Sequence, residues 1–151
     1  MNILVLCTGN SARSILLEGL LDHHGFQSFS AGSKPAGQVH PWALPTLKRH
    51  GIVLDTPSSK SWDVFAAPDA PIMDLVITVC GNAANEVCPV WPGAPLRAHW
   101  GVEDPAAAAP AAQERAFEEA FQILRRRADA FAALAPEART PEALARIGQL
   151  A

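Results

Sequence analysis

Cys7, Arg13 and Ser14 stand within one short stretch, Val5 to Ser14, which reads V-L-C-T-G-N-S-A-R-S. The apolar run Ile3-Leu4-Val5-Leu6 leads straight into Cys7. Thr8, Gly9, Asn10, Ser11 and Ala12 follow, all small or turn-forming. Without bulky side chains, consecutive backbone N–H groups can converge on one point, and a helix starting behind them adds its partial positive end. Thr8, Gly9, Asn10, Ser11, Ala12 and Arg13 are therefore the expected oxyanion-binding residues. Arg13 adds a planar, bidentate donor suited to a tetrahedral anion. A thiol in that positive field is expected to ionise readily. The chemistry implied is attack by the Cys7 thiolate on the centre of a bound phosphate-like oxyanion. Ser14, the next hydroxyl, is expected to hydrogen-bond the thiolate. The plainer alternative, a buried strand-end thiol and a surface arginine, leaves the small-residue loop with no packing rationale.

Such a loop needs a strand in front and a helix behind. Asn2 to Leu6 reads as the strand. Ser11 to His24 reads as the helix, with Ile15, Leu16, Leu20 and Leu21 at helical spacing and Gly25 as its stop. Phe26 to Ala31 is a second strand, and Gly32 to Gly37 a turn segment. Pro41 to His50 is a helix, and Trp62 to Ala66 one helical turn. Asp74 to Val79 is a nearly continuous apolar run, as a central parallel strand should be. Gly81 to Glu86 reads as a short helix, Cys88 to Pro95 as extended loop, and Leu96 to Trp100 as a fourth strand. From Ala112 to Leu134 the last long helix carries an inward stripe of Phe117, Phe121, Leu124, Ala128 and Phe131. Strands alternating with helices predict a three-layer α/β/α fold around a four-stranded parallel sheet. The expected domain is residues 1–135, followed by a tail, 136–151, with weak helical character from Pro141. In parallel sheets ligands bind beyond the strands' C-terminal ends. Cys7, Cys80 and the Asp104 loop all follow strands, so the fold rule puts them on one edge.

Composition narrows the class. The chain has 151 residues, 49% of them hydrophobic, enough for one domain with a real core. A net charge of −3 gives no nucleic-acid or membrane surface. No apolar run is long enough to span a bilayer, and no signal peptide is apparent. Three cysteines, an odd number, do not suit a secreted disulfide framework, so the cytoplasm is the expected compartment. Cys80 and Cys88 are too widely spaced for a C-x-x-C motif. A zinc site using His23, His24 or His99 is the minor alternative, and no metal is expected. Two inert buried thiols would be the plainest account of the pair. The functional account is a relay in which a second thiol attacks an adduct on Cys7 and leaves a disulfide.

C-x5-R-S directly after the first strand resembles the low-molecular-weight protein tyrosine phosphatase family, and C-T-G-N-S-A-R-S is similar to its arsenate reductase branch. H-W-G-V-E-D-P at His99 to Pro105 resembles the branch's acid loop, and V-C-G-N-A-A-N-E-V-C-P-V-W-P its redox segment. The likeness covers about Asn2 to Leu134. It implies that Cys7 is the nucleophile, that Asp104 is the general acid, and that Cys80 and Cys88 are the relay thiols. It implies no bound cofactor but an external thiol reductant, thioredoxin or glutaredoxin with glutathione. Some relatives bind potassium beside this loop. Asn10, Glu18 and Ser30 match its polar ligands, but Trp62 stands at the aspartate's place. The chain has no tyrosine, and Glu103 and Ala106 flank Asp104-Pro105, whereas the phosphatases usually wall an aryl slot there. The expected substrate is therefore a bare oxyanion, arsenate, and the expected activity its reduction. The rival is a phosphatase hydrolysing phosphate monoesters through phosphocysteine, and a third class is a non-catalytic anion-binding module.

Overall fold

The computed structural model describes residues 1–81 and 91–151. Strands β1 (Asn2–Leu6), β2 (Gln27–Ala31), β3 (Leu75–Thr78) and β4 (Leu96–His99) form one parallel sheet in the order β2-β1-β3-β4. The α-helices are α1 (Arg13–His23), α2 (Ala43–Arg49), α3 (Gln113–Ala133) and α4 (Pro141–Ile147). Element types match the sequence expectation, and most ends differ by one or two residues. The short helix expected at Gly81–Glu86 lies almost wholly outside the described residues.

Pleating divides the sheet's side chains between two faces. Ile3, Val5, Leu75 and Ile77 face the larger core with α1, α2, α3 and α4. Leu4, Leu6 and Val76 face a smaller one with Phe65, Met73 and Trp91. The α3 stripe Phe117, Phe121, Leu124, Ala128 and Phe131 is fully buried, worth about 1.5–3 kcal/mol for each large side chain. Pro45 is tolerated in α2 because it sits in the first turn, where an N–H has no helical acceptor. Leu144 and Ile147 of α4 belong to the larger core, so the segment expected as a tail is packed against the domain. No helix among the described residues is long and apolar enough to cross a membrane.

The strand order places the site. The chain leaves β1 toward β2 on one side and takes up β3 on the other, so the topological switch lies between the ends of β1 and β3. Leu6 pairs with Thr78, and the Val79 N–H donates to the Leu6 carbonyl at 3.0 Å. Cys7 and Cys80 follow these two strand ends.

Candidate active site

Residues 8–12 form the loop between β1 and α1, and its peptide planes have a fixed sense. The carbonyls of Thr8, Gly9 and Ser11 accept from the backbone N–H groups of Lys34, Ala36 and His40 at 2.9–3.0 Å. In a trans peptide the N–H points opposite to the C=O. The N–H groups of Gly9, Asn10 and Ala12 therefore face the other way, into the loop. The N-cap of α1, Ala12, supplies no side-chain acceptor, so the helix's first N–H groups also stay open toward the loop.

Asn10 makes the turn. Its φ is +46°, a left-handed conformation that asparagine tolerates better than most residues. Its fully buried side chain is pinned on every side. Nδ2 donates to Ser14 Oγ at 2.8 Å and Ser30 Oγ at 2.9 Å, and Oδ1 accepts from the Lys60 N–H at 2.9 Å. Ser30 Oγ in turn donates to Glu18. Burial pushes the Glu18 carboxyl up, with Ser30 and Lys60 opposing, and burial pushes the Lys60 ammonium down, with Glu18 opposing. Asn10, Glu18 and Ser30 do come together. They do not fit a potassium ion, because Asn10 presents donors to the cluster and Lys60 already supplies positive charge. Among the described residues no group of three or more His, Cys, Asp or Glu side chains could hold a metal.

Gly32, immediately after β2, braces the loop from behind. A Cβ there would lie 2.3 Å from the Thr8 carbonyl oxygen and 2.5 Å from that of Cys7. Only glycine lets the two backbones approach so closely.

Arg13, in the first turn of α1, reaches across to the segment after β4. Its Nη1 donates to the Val102 carbonyl at 3.0 Å, and its Nη2 lies 3.6 Å from Asp104 Oδ2. Its Nε is buried without a hydrogen-bond partner among the described residues. Asp104 caps the short turn Pro105–Ala107, with Oδ1 accepting from the Ala106 N–H at 3.0 Å, and remains solvent-accessible. A cavity of about 510 Å³ adjoins it, lined in part by Val102, Ala107, Ala120, Ile123 and Arg127.

Cys7 and Cys80 are both buried free thiols at adjacent strand ends. Cys80 Sγ also accepts from the Thr8 N–H at 3.4 Å and lies 3.7 Å from Thr8 Oγ1. The groups around Cys7 act against the expectation that it ionises readily. The Cys80 hydrogen bond first, then burial, pushes the Cys7 thiol up, while Arg13 pulls it down. The sequence argument counted the loop's positive field but could not see a second sulfur already occupying part of it. Ser14 Oγ is buried and accepts from Asn10, an arrangement the sequence reading did not foresee. Cys88, the third expected thiol, lies outside the described residues.

Sequence reasoning missed Gly32 and Lys60 as parts of the loop's support, and Arg127 behind the acid loop. For Arg127 a signal was available. It stands three residues after Leu124 and four before Phe131, a charge on the inward stripe of α3.

The model of the family described as low molecular weight phosphotyrosine protein phosphatase matches residues 2–144. An arsenate reductase of Halalkalibacterium halodurans is 39% identical over 127 residues, 82% of this chain and 84% of that protein. A solved arsenate reductase in the phosphate binding state superposes with a TM-score of 0.70 at 25% identity, over 87% of this chain and 96% of the other. A thioredoxin-dependent arsenate reductase of Corynebacterium glutamicum superposes with a TM-score of 0.56 at 26% identity, over 82% of this chain and 58% of the other.

Proposed function

The chain belongs to the low molecular weight phosphotyrosine protein phosphatase family, and we propose that its activity there is the reduction of arsenate to arsenite by its own cysteines. It is an arsenate reductase with a four-stranded parallel sheet and a thiol pair at the switch point. The observation that carries this reading is the second buried thiol, Cys80, held close to Cys7 with the Thr8 N–H on its sulfur at 3.4 Å. Hydrolysis of a phosphate ester needs one cysteine and water. A second thiol held against the nucleophile has a use only if the nucleophile is to be attacked in turn.

The N–H groups of the loop and Arg13 hold the arsenate. The Cys7–Cys80 pair gives up one proton, a loss that Arg13 favours, and Cys7 Sγ attacks arsenic. An S–As bond forms as an As–O bond breaks, and Asp104 protonates the departing hydroxyl, which leaves as water. Ser14 steadies the thiolate. Cys80 then gives its proton to an oxygen on arsenic and attacks Cys7 Sγ as the thiolate. The S–S bond forms, the S–As bond breaks and its electron pair stays on arsenic, which departs as arsenite. Two thiols have been oxidised and As(V) reduced to As(III). Cys88 attacks Cys80, frees Cys7 and presents the disulfide to an external dithiol. Thioredoxin is the donor we favour, because one structural relative is named as thioredoxin-dependent; glutaredoxin with glutathione is the alternative. A relay of this kind requires a reducing compartment, so we place it in the cytoplasm.

The test uses reduced protein and arsenate with no external reductant. Wild type should release one arsenite per chain and yield a disulfide that includes Cys80. Cys80→Ser should do neither, yet keep slow hydrolysis of a small aryl phosphate. Arsenate reduction by Cys80→Ser at the wild-type rate would put the phosphatase reading first.

A further inference from the structure

We propose that Arg127 is a positioning residue for proton donation: it holds the backbone that carries Asp104 at the height the departing oxygen requires. The proposal rests on Asp104 being the proton donor. Arg127 lies on α3, and its side chain is almost entirely buried. Its Nη1 donates to the Trp100 carbonyl at 2.7 Å and to the Gly101 carbonyl at 3.1 Å, and its Nε to the Leu150 carbonyl at 2.9 Å. Arg13 takes the next carbonyl along, that of Val102. Three successive carbonyls of the segment leading to Asp104 are thus captured by two arginines from two different helices.

Packing does not do this job alone. The same segment, Gly101 to Asp104, forms one wall of the 510 Å³ cavity, so that side gives it little steric support. Among the described residues, backbone tethers of this segment include the Trp100 N–H on the Thr78 carbonyl at 2.7 Å and the Val102 N–H on the Val79 carbonyl at 3.1 Å. Those bonds fix the segment along the sheet edge. Arg127 fixes it against α3, across the sheet edge. Trp100 is held from the same direction, its Nε1 donating to the Leu144 carbonyl at 3.0 Å. Residues 141–150 therefore share the α3 side of this bracket with Arg127. A planar guanidinium suits the task because one group serves several carbonyls in fixed directions.

A positioning role through Asp104 and a purely structural role predict different kinetics. If Arg127 acts through Asp104, its loss slows the step that needs the proton and spares arsenate binding. The experiment is single-turnover arsenite formation by the reduced enzyme, which needs no electron donor. It compares wild type, Arg127→Met, Arg127→Lys, Asp104→Asn and the Arg127→Met/Asp104→Asn double variant. Arg127→Met should lower the limiting rate by roughly 10- to 100-fold, with half-saturating arsenate changed by less than about twofold. Arg127→Lys should fall between, since a lysine reaches fewer of the carbonyls. In the Asp104→Asn background Arg127→Met should cost less than about twofold, because a misplaced donor no longer matters. Equal losses in both backgrounds, or a shift confined to half-saturating arsenate, would overturn the proposal. If Arg127→Met does not fold, the same comparison with Arg127→Lys decides it. If Asp104→Asn alone matches wild type, the proton-donor reading fails and the role of Arg127 falls with it.

Discussion

The N–H of Thr8, the first residue of the anion loop, donates to Cys80 Sγ at 3.4 Å, although the two residues lie 72 positions apart. The second thiol therefore sits at the mouth of the cradle, against the nucleophile, in the reduced protein.

That contact predicts an unusual titration. The Cys80 thiol is the largest influence holding Cys7 protonated, ahead of burial, while Arg13 works the other way. Removing the Cys80 sulfur leaves burial and Arg13 opposed. In Cys80→Ala the apparent pKa of Cys7 should fall below its wild-type value. The pH dependence of iodoacetamide alkylation, mapped to the Cys7 peptide, measures it. An unchanged or higher value would mean that burial alone governs the thiol.

Arg13→Lys keeps the charge and loses the fork. A lysine cannot span the Val102 carbonyl, the Asp104 carboxylate and the anion together. Turnover should drop by roughly 10²–10³-fold and phosphate should inhibit more weakly, with the circular dichroism spectrum unchanged. Wild-type kinetics would place Arg13 outside the reaction.

Gly32→Ala should push on the loop from behind, since the new Cβ overlaps the Thr8 and Cys7 carbonyls. The expected result is a loss of about 1–3 kcal/mol in stability together with weaker phosphate inhibition. Urea unfolding and inhibition constants report the two effects. A variant equal to wild type in both would show that the end of β2 does not brace the cradle.

Glu18 gives a pH dependence of stability. Burial holds its carboxyl above the ordinary 4.5, so the folded chain keeps a proton that the unfolded chain loses. This contribution to stability is full below about pH 4.5 and is lost as pH rises through the raised folded value. Glu18→Gln removes the titration. Wild-type stability minus variant stability should therefore decline as pH rises from about 4 toward neutrality. Urea unfolding at a series of pH values tests this, and a difference that grows with pH would contradict it.

Features that depend on neighbours along the chain are legible in the residues alone. Residues 8–12 are small, so the loop can turn its N–H groups inward. The stripe on α3 repeats at helical spacing, so its buried face is legible. Strand–helix alternation implies a parallel sheet, and that topology alone gathers Cys7, Cys80 and Asp104 at one edge. Tertiary structure decided how those groups meet. The Thr8–Cys80 hydrogen bond, the Asn10–Ser30–Glu18 chain and the Arg127 bracket each join residues far apart in sequence. None has a local signature beyond a residue type that is unusual for its place, such as a glycine after a strand or an arginine on an apolar stripe. The physical reason is that secondary structure follows side-chain period and turn chemistry within a few residues. Proton affinity and loop height depend on which groups are brought within about 3–4 Å, and only the packed sheet and helices set those distances.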